Sequence, residues 1–444
     1  MRKVVLLCAA LLTTSPLWCQ ESESDQGSSA ASSESMVKPA PVSGRSYSTE
    51  VGMAGAQENF LRLGITGSFG YIDNLYPGGG DSPIGEKLYV ILPTIALDMS
   101  TDRQHTSASY SPGFNFYEPA GVLNEVDQSG QFSFNYRFTP HLNLSLGDIL
   151  QRSSTGFGQA GLGVGGSISG SAPSVVPGVY APFTSRFINT ASAELSDQIS
   201  RRGMIGATGG YSKLDYPNIV AESGLYNSDS RAGSGYFNER VSAKQYLGAI
   251  YGYENIFAYP AVGQYQTQTH AISGFYTIFL TDTLSFSVTG GPQHYSAVHS
   301  PTPPVSGWSP TFTISSGWHR QSVSLAGNFS RTVTGGGGLL GAYRSTSGAL
   351  GGKWQISPNW SSAVSASYAS NSSQTPTFAL GNTGGHSFVA SASLERPVAP
   401  RLKARFQYDR IQENYSQIQA IAVNPSANRE TVTLVWELRR PLGR

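Results

Sequence analysis

Hydrophobic and polar residues alternate along many short segments of the chain. In QFSFNYRF (131–138) every second residue is aromatic, and the residues between are polar. The same alternation occurs in LRLGITGSFGY (61–71), RLKARFQYD (401–409) and TVTLVWEL (431–438). Successive side chains of a strand point to opposite faces, so each segment predicts a strand with one apolar and one polar face.

Short and long connections alternate between these segments. Tight connections are predicted at 100–104, 138–142, 196–203, 241–245, 280–283, 318–321, 356–360 and 396–401. Longer stretches rich in Gly, Ser, Asn and Pro are predicted at 74–85, 153–185, 214–231, 299–307, 334–341, 372–385 and 414–428. This alternation is typical of antiparallel barrels that cross a membrane. The pattern therefore predicts an all-β transmembrane antiparallel β-barrel of about 18 strands, or 16 because 114–127 is poorly patterned.

Charged residues make up only 13% of the 444 residues, about half the share in a typical soluble protein. Hydrophobic residues account for 39%, and the remainder is rich in Gly and neutral polar residues. This mixture suits strands with one face in lipid and one in water. The net charge of +1 provides no field that would recruit nucleic acid, so we expect no such partner.

The chain begins with the pattern of a secretory signal peptide. A basic start precedes an apolar run from Val4 to Leu12 that is too short to span a membrane. We expect residues 1–19 to be removed by cleavage after Cys19, with lipidation of Cys19 as the alternative. The other cysteine, Cys8, lies in the signal, so disulfides and thiolate chemistry are not expected in the mature chain. Residues 20–58 are rich in Ser and Glu and predict a disordered periplasmic leader.

No later segment has the length of a transmembrane helix. The longest apolar stretch, 88–97, is about half a span and is interrupted by Pro93. A secreted soluble β-protein and a membrane barrel are the two alternatives. The repeated one-sided strands favour a barrel, in which the last strand pairs with the first near 60–71 and leaves no edge unpaired in lipid.

Over residues 59–440 the chain resembles bacterial outer-membrane β-barrels of the porin type. The resemblance implies an outer-membrane location, both chain ends in the periplasm, and contact with lipids and the barrel assembly machinery. It also implies small solutes as ligands and a homo-trimer as a common assembly. The closing strand of such barrels commonly ends in an aromatic residue, whereas here Trp436 is followed by ELRRPLGR, with 441–444 as a C-terminal tail.

A basic ladder is the main candidate for function. Arg401, Lys403 and Arg405 fall on the polar, lumen-facing side of one predicted strand. Charges on a pore wall select solutes by sign, so this ladder predicts attraction for anionic or polar solutes. Alternatively the ladder braces the wall by pairing with Glu437 and Arg439 on the neighbouring strand. Four charged residues on other strands share this facing: Arg62, Arg137, Glu437 and Arg439.

The sequence predicts a porin-like channel for passive or selective passage of small polar or anionic solutes. An export or structural barrel of an envelope complex is the alternative, followed by an outer-membrane hydrolase. Barrels of 16–18 strands leave an aqueous lumen. The long 153–185 connection is predicted to fold inward as a constriction.

No catalytic group, metal site or cofactor is expected. The Gly-rich stretch 156–166 contains Gly-x-Gly-x-x-Gly spacing, but it lies in a predicted loop without the buried strand and helix that bind a nucleotide. The seven histidines are scattered, and the nearest pair, His294 and His299, has no acidic third ligand at a metal-site spacing.

Asp148 is the main exception to the pattern. It continues the phase of Leu142, Leu144 and Leu146, which places it on the lipid side. A charge at the centre of a membrane is costly. We therefore expect either a bulge after Gly147 or a position of Asp148 near the outer rim.

Overall fold

The computed structural model describes residues 59–74, 85–118, 124–153, 157, 179–180, 184–217, 224–260, 263–299, 302–335, 339–375, 384–415 and 426–442. The predicted signal peptide and leader lie outside these residues. The described strands are β1 (Phe60–Ile72), β2 (Glu86–Ser100), β3 (Gln104–Glu118), β4 (Glu125–Arg137), β5 (Leu142–Ser153), β6 (Arg186–Asp197), β7 (Gly203–Asp215), β8 (Asn227–Ser242), β9 (Gln245–Tyr259), β10 (Tyr265–Phe279), β11 (Leu284–His299), β12 (Thr302–Arg320), β13 (Val323–Gly335), β14 (Ala342–Ser357), β15 (Trp360–Ser373), β16 (Gly385–Ala399), β17 (Leu402–Tyr415) and β18 (Ser426–Pro441).

The 18 strands form one closed antiparallel sheet. Each strand pairs with the next along the chain, and β18 pairs with β1 from Phe60↔Pro441 to Ile72↔Arg429. The prediction of an all-β antiparallel barrel with 18 strands is confirmed. Closure leaves no free sheet edge along the paired length, which is the condition for a sheet to stand in lipid.

The two ends of the barrel differ in their connections. The eight predicted tight turns all occur, and they share one end, here called the short-turn end, with Phe60 and Pro441. The opposite end, here called the long-loop end, carries the longer connections. One predicted loop, 299–307, is wrong, because β12 begins at Thr302 and pairs with β11 through most of this stretch. The prolines of this stretch indicated a loop. This part of β12 does not pair with β13, however, so the N–H groups that proline lacks are not needed for hydrogen bonds on that side.

One face of the sheet is a belt of large exposed hydrophobic side chains. On β18, Val432, Leu434 and Trp436 are exposed, whereas the alternating Thr431 and Thr433 are buried. The same exposed face carries Leu63, Ile65, Phe69, Ile91, Ile95, Phe114, Leu350, Trp354, Val364, Tyr368 and Phe406. A closed sheet with this apolar outer face and a polar inner face has the construction of a transmembrane barrel.

Among the described residues, no helix is long and apolar enough to cross a membrane.

Hydroxyl groups dominate much of the inner face. They pair across neighbouring strands, as in Ser68 with Thr433 (2.9 Å) and Thr277 with Ser287 (2.8 Å). Thr277 and Ser287 are almost completely buried. Each pair satisfies two polar groups within the wall and ties adjacent strands together.

Asp148 departs from both expectations stated above. The pairing of β5 with β4 and β6 runs without a register shift, so no bulge follows Gly147. Asp148 is the seventh of the twelve residues of β5, so it lies near the middle of the strand rather than near its rim. Its side chain stays on the outer face and accepts a hydrogen bond from Asn189 Nδ2 (Oδ1, 2.8 Å).

Candidate functional site

Two basic residues of the inner wall pair with one carboxylate. Glu395 of β16 pairs in register with Arg405 of β17, and Arg405 donates from Nε (3.0 Å) and Nη2 (2.6 Å) to Glu395 Oε2. Lys403 Nζ lies 3.4 Å from Glu395 Oε1. The side chains of Lys403 and Arg405 are 44% and 30% exposed, against 14% for Glu395. Two cations therefore share one shielded carboxylate and face the lumen.

A second ion pair continues this wall toward the long-loop end. Arg429 of β18 donates to Asp409 Oδ2 from Nε (3.0 Å) and Nη2 (2.7 Å). The guanidinium of Arg429 also lies over the ring of Phe157, 4.6 Å from its centroid. Because Phe157 belongs to the β5–β6 connection, this contact joins the connection to the wall from inside.

The remaining predicted site residues do not join the group around Glu395. Arg401 lies in the turn before β17 and its carbonyl accepts the Glu437 N–H (3.0 Å). Arg62 Nη1 lies 3.9 Å from Glu437 Oε1, and Arg439 stacks on Phe60 with its guanidinium carbon 4.1 Å from the ring centroid.

Arg137 lies at the short-turn end and donates to the Asp102 carbonyl (2.5 Å). The predicted bracing of Lys403 and Arg401 by Glu437 and Arg439 is wrong. Register places Val435 opposite Lys403, and Glu395, on the other side of β17, is the acidic partner.

Near the long-loop end, one peptide group is held from two sides of the barrel. The Val179 carbonyl accepts a hydrogen bond from Arg186 Nη1 (3.1 Å), and the Tyr180 N–H donates to Glu413 Oε1 (2.9 Å). Arg186 and Glu413 are both buried, on β6 and β17. Both partners are buried in wall strands, so this clamp fixes the Val179–Tyr180 peptide inside the barrel.

Two tyrosines surround the clamp. Burial raises the pKa of Tyr180 to about 12, with the Glu413 carboxylate adding to the rise and Arg186 opposing it. Burial also raises the pKa of Tyr216, which hydrogen-bonds the Arg186 side chain. Both phenols therefore remain neutral at physiological pH.

Hydrophobic side chains close around the clamp. The mouth cluster consists of Val179, Ile188, Leu214, Tyr216, Leu225, Leu339, Tyr343 and Tyr415. These residues come from β6, β7, β14, β17 and the connections beside them, and so from opposite sides of the sheet. The lumen is therefore narrowed at the long-loop end. The described part of 153–185 agrees with the predicted infolding, since Phe157, Val179 and Tyr180 pack inside the wall.

The β13–β14 hairpin contributes to this narrowing. Pairing of β12 with β13 stops at Phe312↔Arg331, although both strands continue. Beyond that point the Gln293 side chain of β11 donates to the Val333 carbonyl (2.7 Å) and accepts the Val333 N–H (2.8 Å). Val333 and Ala342 pack on Ala297, an inner-face residue of β11. The end of the hairpin is thus tucked behind β11, inside the barrel.

The closed sheet, the apolar belt and the polar inner wall define a β-barrel of the kind that spans bacterial outer membranes. No protein-family model matches the sequence, and no curated protein matches it.

Solved outer-membrane barrels are similar to the chain in fold. OccAB2 of Acinetobacter baumannii is 10% identical at a TM-score of 0.40, covering 87% of this chain and 99% of its own. OccK2 (OpdF) of Pseudomonas aeruginosa is 10% identical at 0.40, covering 85% and 98%. The ferric-catecholate import receptor Fiu from E. coli K12 is 11% identical at 0.43, covering 86% and 82%. Similarity at this level is confined to barrel architecture and identifies no solute.

Proposed function

We propose that the protein is an outer-membrane channel for small polar solutes with a preference for anions. The Lys403–Glu395–Arg405 group carries the proposal, because it places two cations and one carboxylate on the lumen wall. The carboxylate is the most shielded of the three, so positive charge is what a passing solute meets. Charged groups on a pore wall select by sign.

The rest of the inner wall supports polar solutes in general. Serine and threonine hydroxyls line much of it, and Ser330 with Ser347 (2.9 Å) is one more cross-strand pair. Hydroxyls both donate and accept hydrogen bonds, so they can replace water around an uncharged polar solute without regard to its sign. The preference for anions over cations is then set by the charged residues of β16, β17 and β18.

The architecture also supports the orientation and partners that the resemblance implies. An 18-stranded barrel is wide enough to hold an aqueous lumen. In bacterial barrels the short turns are periplasmic, and here Phe60 and Pro441 lie at the short-turn end. We therefore place both barrel termini in the periplasm, which makes lipid and the barrel assembly machinery the expected partners. No chemical step is assigned to the protein.

Swelling of proteoliposomes in sugars of equal carbon number tests the proposal. We expect a sugar acid to enter faster than the neutral sugar, and an amino sugar more slowly. The triple substitution E395Q/K403Q/R405Q, which leaves no uncompensated carboxylate, should remove the difference between the acid and the amino sugar while leaving the neutral rate unchanged. Equal rates for all three solutes through the unaltered protein would contradict the anion preference, and no swelling by folded protein would contradict the channel.

A further inference from the structure

Asp148 places a carboxylate on the membrane face of the barrel. It lies near the middle of β5, with Leu146 and Leu150 in the same phase on either side. Among the described residues its side-chain donor is Asn189 Nδ2, at 2.8 Å. An ionised carboxylate can accept further hydrogen bonds, and lipid chains offer none. This face is therefore poorly suited to lipid at the depth of Asp148.

The outer face beside Asp148 is also unusually flat. Large hydrophobic side chains cover the outer face of β1 and β18, but small residues occupy the middle of β6, β7 and β8. They are Ala191, Ala193, Ala207, Gly209, Gly233 and Gly235. Glycine weakens a strand, and it commonly marks a place where another backbone approaches closely.

Packing within the chain does not require these glycines. A Cβ built at Gly209 would meet no atom within 4 Å, and one at Gly233 would come no closer than 3.7 Å to the Thr208 carbonyl oxygen. By contrast, a Cβ at the inward-facing Gly206 would collide with the Tyr236 ring. Tyr236 of the same chain therefore requires a glycine at position 206. Gly209 and Gly233 have no such neighbour and leave open space on the membrane side.

We propose that the outer face of β5–β9, centred on β7, contacts a second copy of this chain within the membrane. A two-fold axis along the membrane normal beside β7 sets β5 of one copy against β9 of the other at equal depth. Asp148 is the seventh residue of β5 and Tyr251 the seventh residue of β9, and both strands rise from the short-turn end. Tyr251 is 48% exposed on the outer face. Its hydroxyl lies 2.9 Å from His270 Nδ1. When that ring nitrogen donates, the hydroxyl keeps its own hydrogen and supplies the donor that the carboxylate lacks in lipid.

The same surface complements itself in other respects. The flat strip at Gly209 allows the two sheets to approach closely, as small residues do between membrane helices. Farther toward the long-loop end the outer face carries Lys213 paired with Asp215 (2.6 Å) and Arg231, 70% exposed, 3.9 Å from Asp229 Oδ2; charges of both signs at this level can also meet across the two-fold axis. A two-fold pair built on this face would replace the trimer that the general resemblance implies.

Mass measurement in lipid nanodiscs or mild detergent tests the proposal directly. We expect two copies for the unaltered chain and one for Gly209→Phe, which remains folded because the added side chain meets open space. Gly67→Phe is the matched control: Gly67 lies on the outer face of β1, and a Cβ there also meets no atom within 4 Å. It should leave the pair intact. A single copy or three copies of the unaltered chain, or an equal effect of both substitutions, would overturn the proposal.

Cross-linking in proteoliposomes provides a readout that does not depend on a bulky side chain. With Cys8 and Cys19 replaced by serine, G209C should form a covalent pair on mild oxidation, since β7 of each copy lies at the axis. G67C should remain a single chain. Absence of a G209C pair, or equal cross-linking of both variants, would overturn the two-fold arrangement.

Discussion

Gln293 holds the β13–β14 hairpin inside the barrel, and its loss should release the hairpin. Its amide hydrogen-bonds both backbone groups of Val333, at 2.7 and 2.8 Å. Among the described residues, Thr332 Oγ1 also makes a weak contact with the same carbonyl, at 3.4 Å. Gln293 is 4% and Val333 1% exposed, so water does not replace these bonds in the tucked state. Gln293→Leu removes donor and acceptor together while keeping a side chain of similar size.

The expected magnitude follows from the two bonds. A buried backbone group left without a partner costs about 1–3 kcal/mol. Two such groups lower the free energy of hairpin opening by about 2–6 kcal/mol, which accelerates opening-limited amide exchange by at least about 30-fold. The effect should be confined to the end of the hairpin, because pairing below Phe312↔Arg331 is unaffected.

Hydrogen exchange followed by mass spectrometry measures this release. Exchange in peptides covering 333–335 and 339–345 should rise in Gln293→Leu, while β4 and β5 peptides stay unchanged. Gln131→Leu is a suitable control, since Gln131 lies on the inner face of β4 and is exposed. If the hairpin peptides exchange at the same rate in both variants, the Gln293 amide does not hold the hairpin.

Three further predictions concern other contacts. Glu395→Gln should shift the zero-current potential in a salt gradient toward stronger anion preference, because it frees two cations; a shift toward cations would contradict this. Glu413→Leu leaves the Tyr180 N–H without its acceptor and should cost about 1–3 kcal/mol, read as a lower thermal unfolding temperature; Glu413→Gln, which keeps an acceptor, should lose less. Gly206→Ala should destabilise the barrel by about 1–3 kcal/mol through collision with Tyr236, measured as the temperature at which the folded band is lost in electrophoresis; an unchanged temperature would disprove that collision.

Side-chain facing could be predicted from the sequence because alternation is a local property. Val432 and Thr433 illustrate this: they were expected on opposite faces, and one is exposed while the other is buried. The tight turns could also be predicted, because polar and turn-forming residues interrupt the alternation. Strand number followed from the turns.

Cross-strand partners could not be predicted in the same way. Glu395 was missed because it stands next to the predicted 396–401 connection, whereas β16 extends to Ala399 and pairs Glu395 with Arg405. Facing gives the side of the sheet on which a charge lies, but register decides which opposite charge it meets. A shift of the pairing by two residues keeps every facing and changes every partner.

The contacts at the long-loop end depend on even more distant residues. Tyr180 and Glu413 are 233 positions apart, and Gln293 and Val333 are 40 apart on strands that do not pair with each other. No local pattern signals such contacts. The prolines of 299–307 even pointed to a loop, because a strand that lacks pairing on one side tolerates the residues that usually end strands.

Single-channel recording in a planar lipid bilayer tests the central claim, that this barrel is a channel selecting anions with Lys403 and Arg405. We expect discrete current steps with a zero-current potential that favours anions, larger steps for Gln293→Leu, and loss of the preference in E395Q/K403Q/R405Q. Folded, heat-modifiable protein that gives no steps in either the unaltered or the Gln293→Leu form would contradict the channel. Steps that favour cations would contradict the role of the two basic residues.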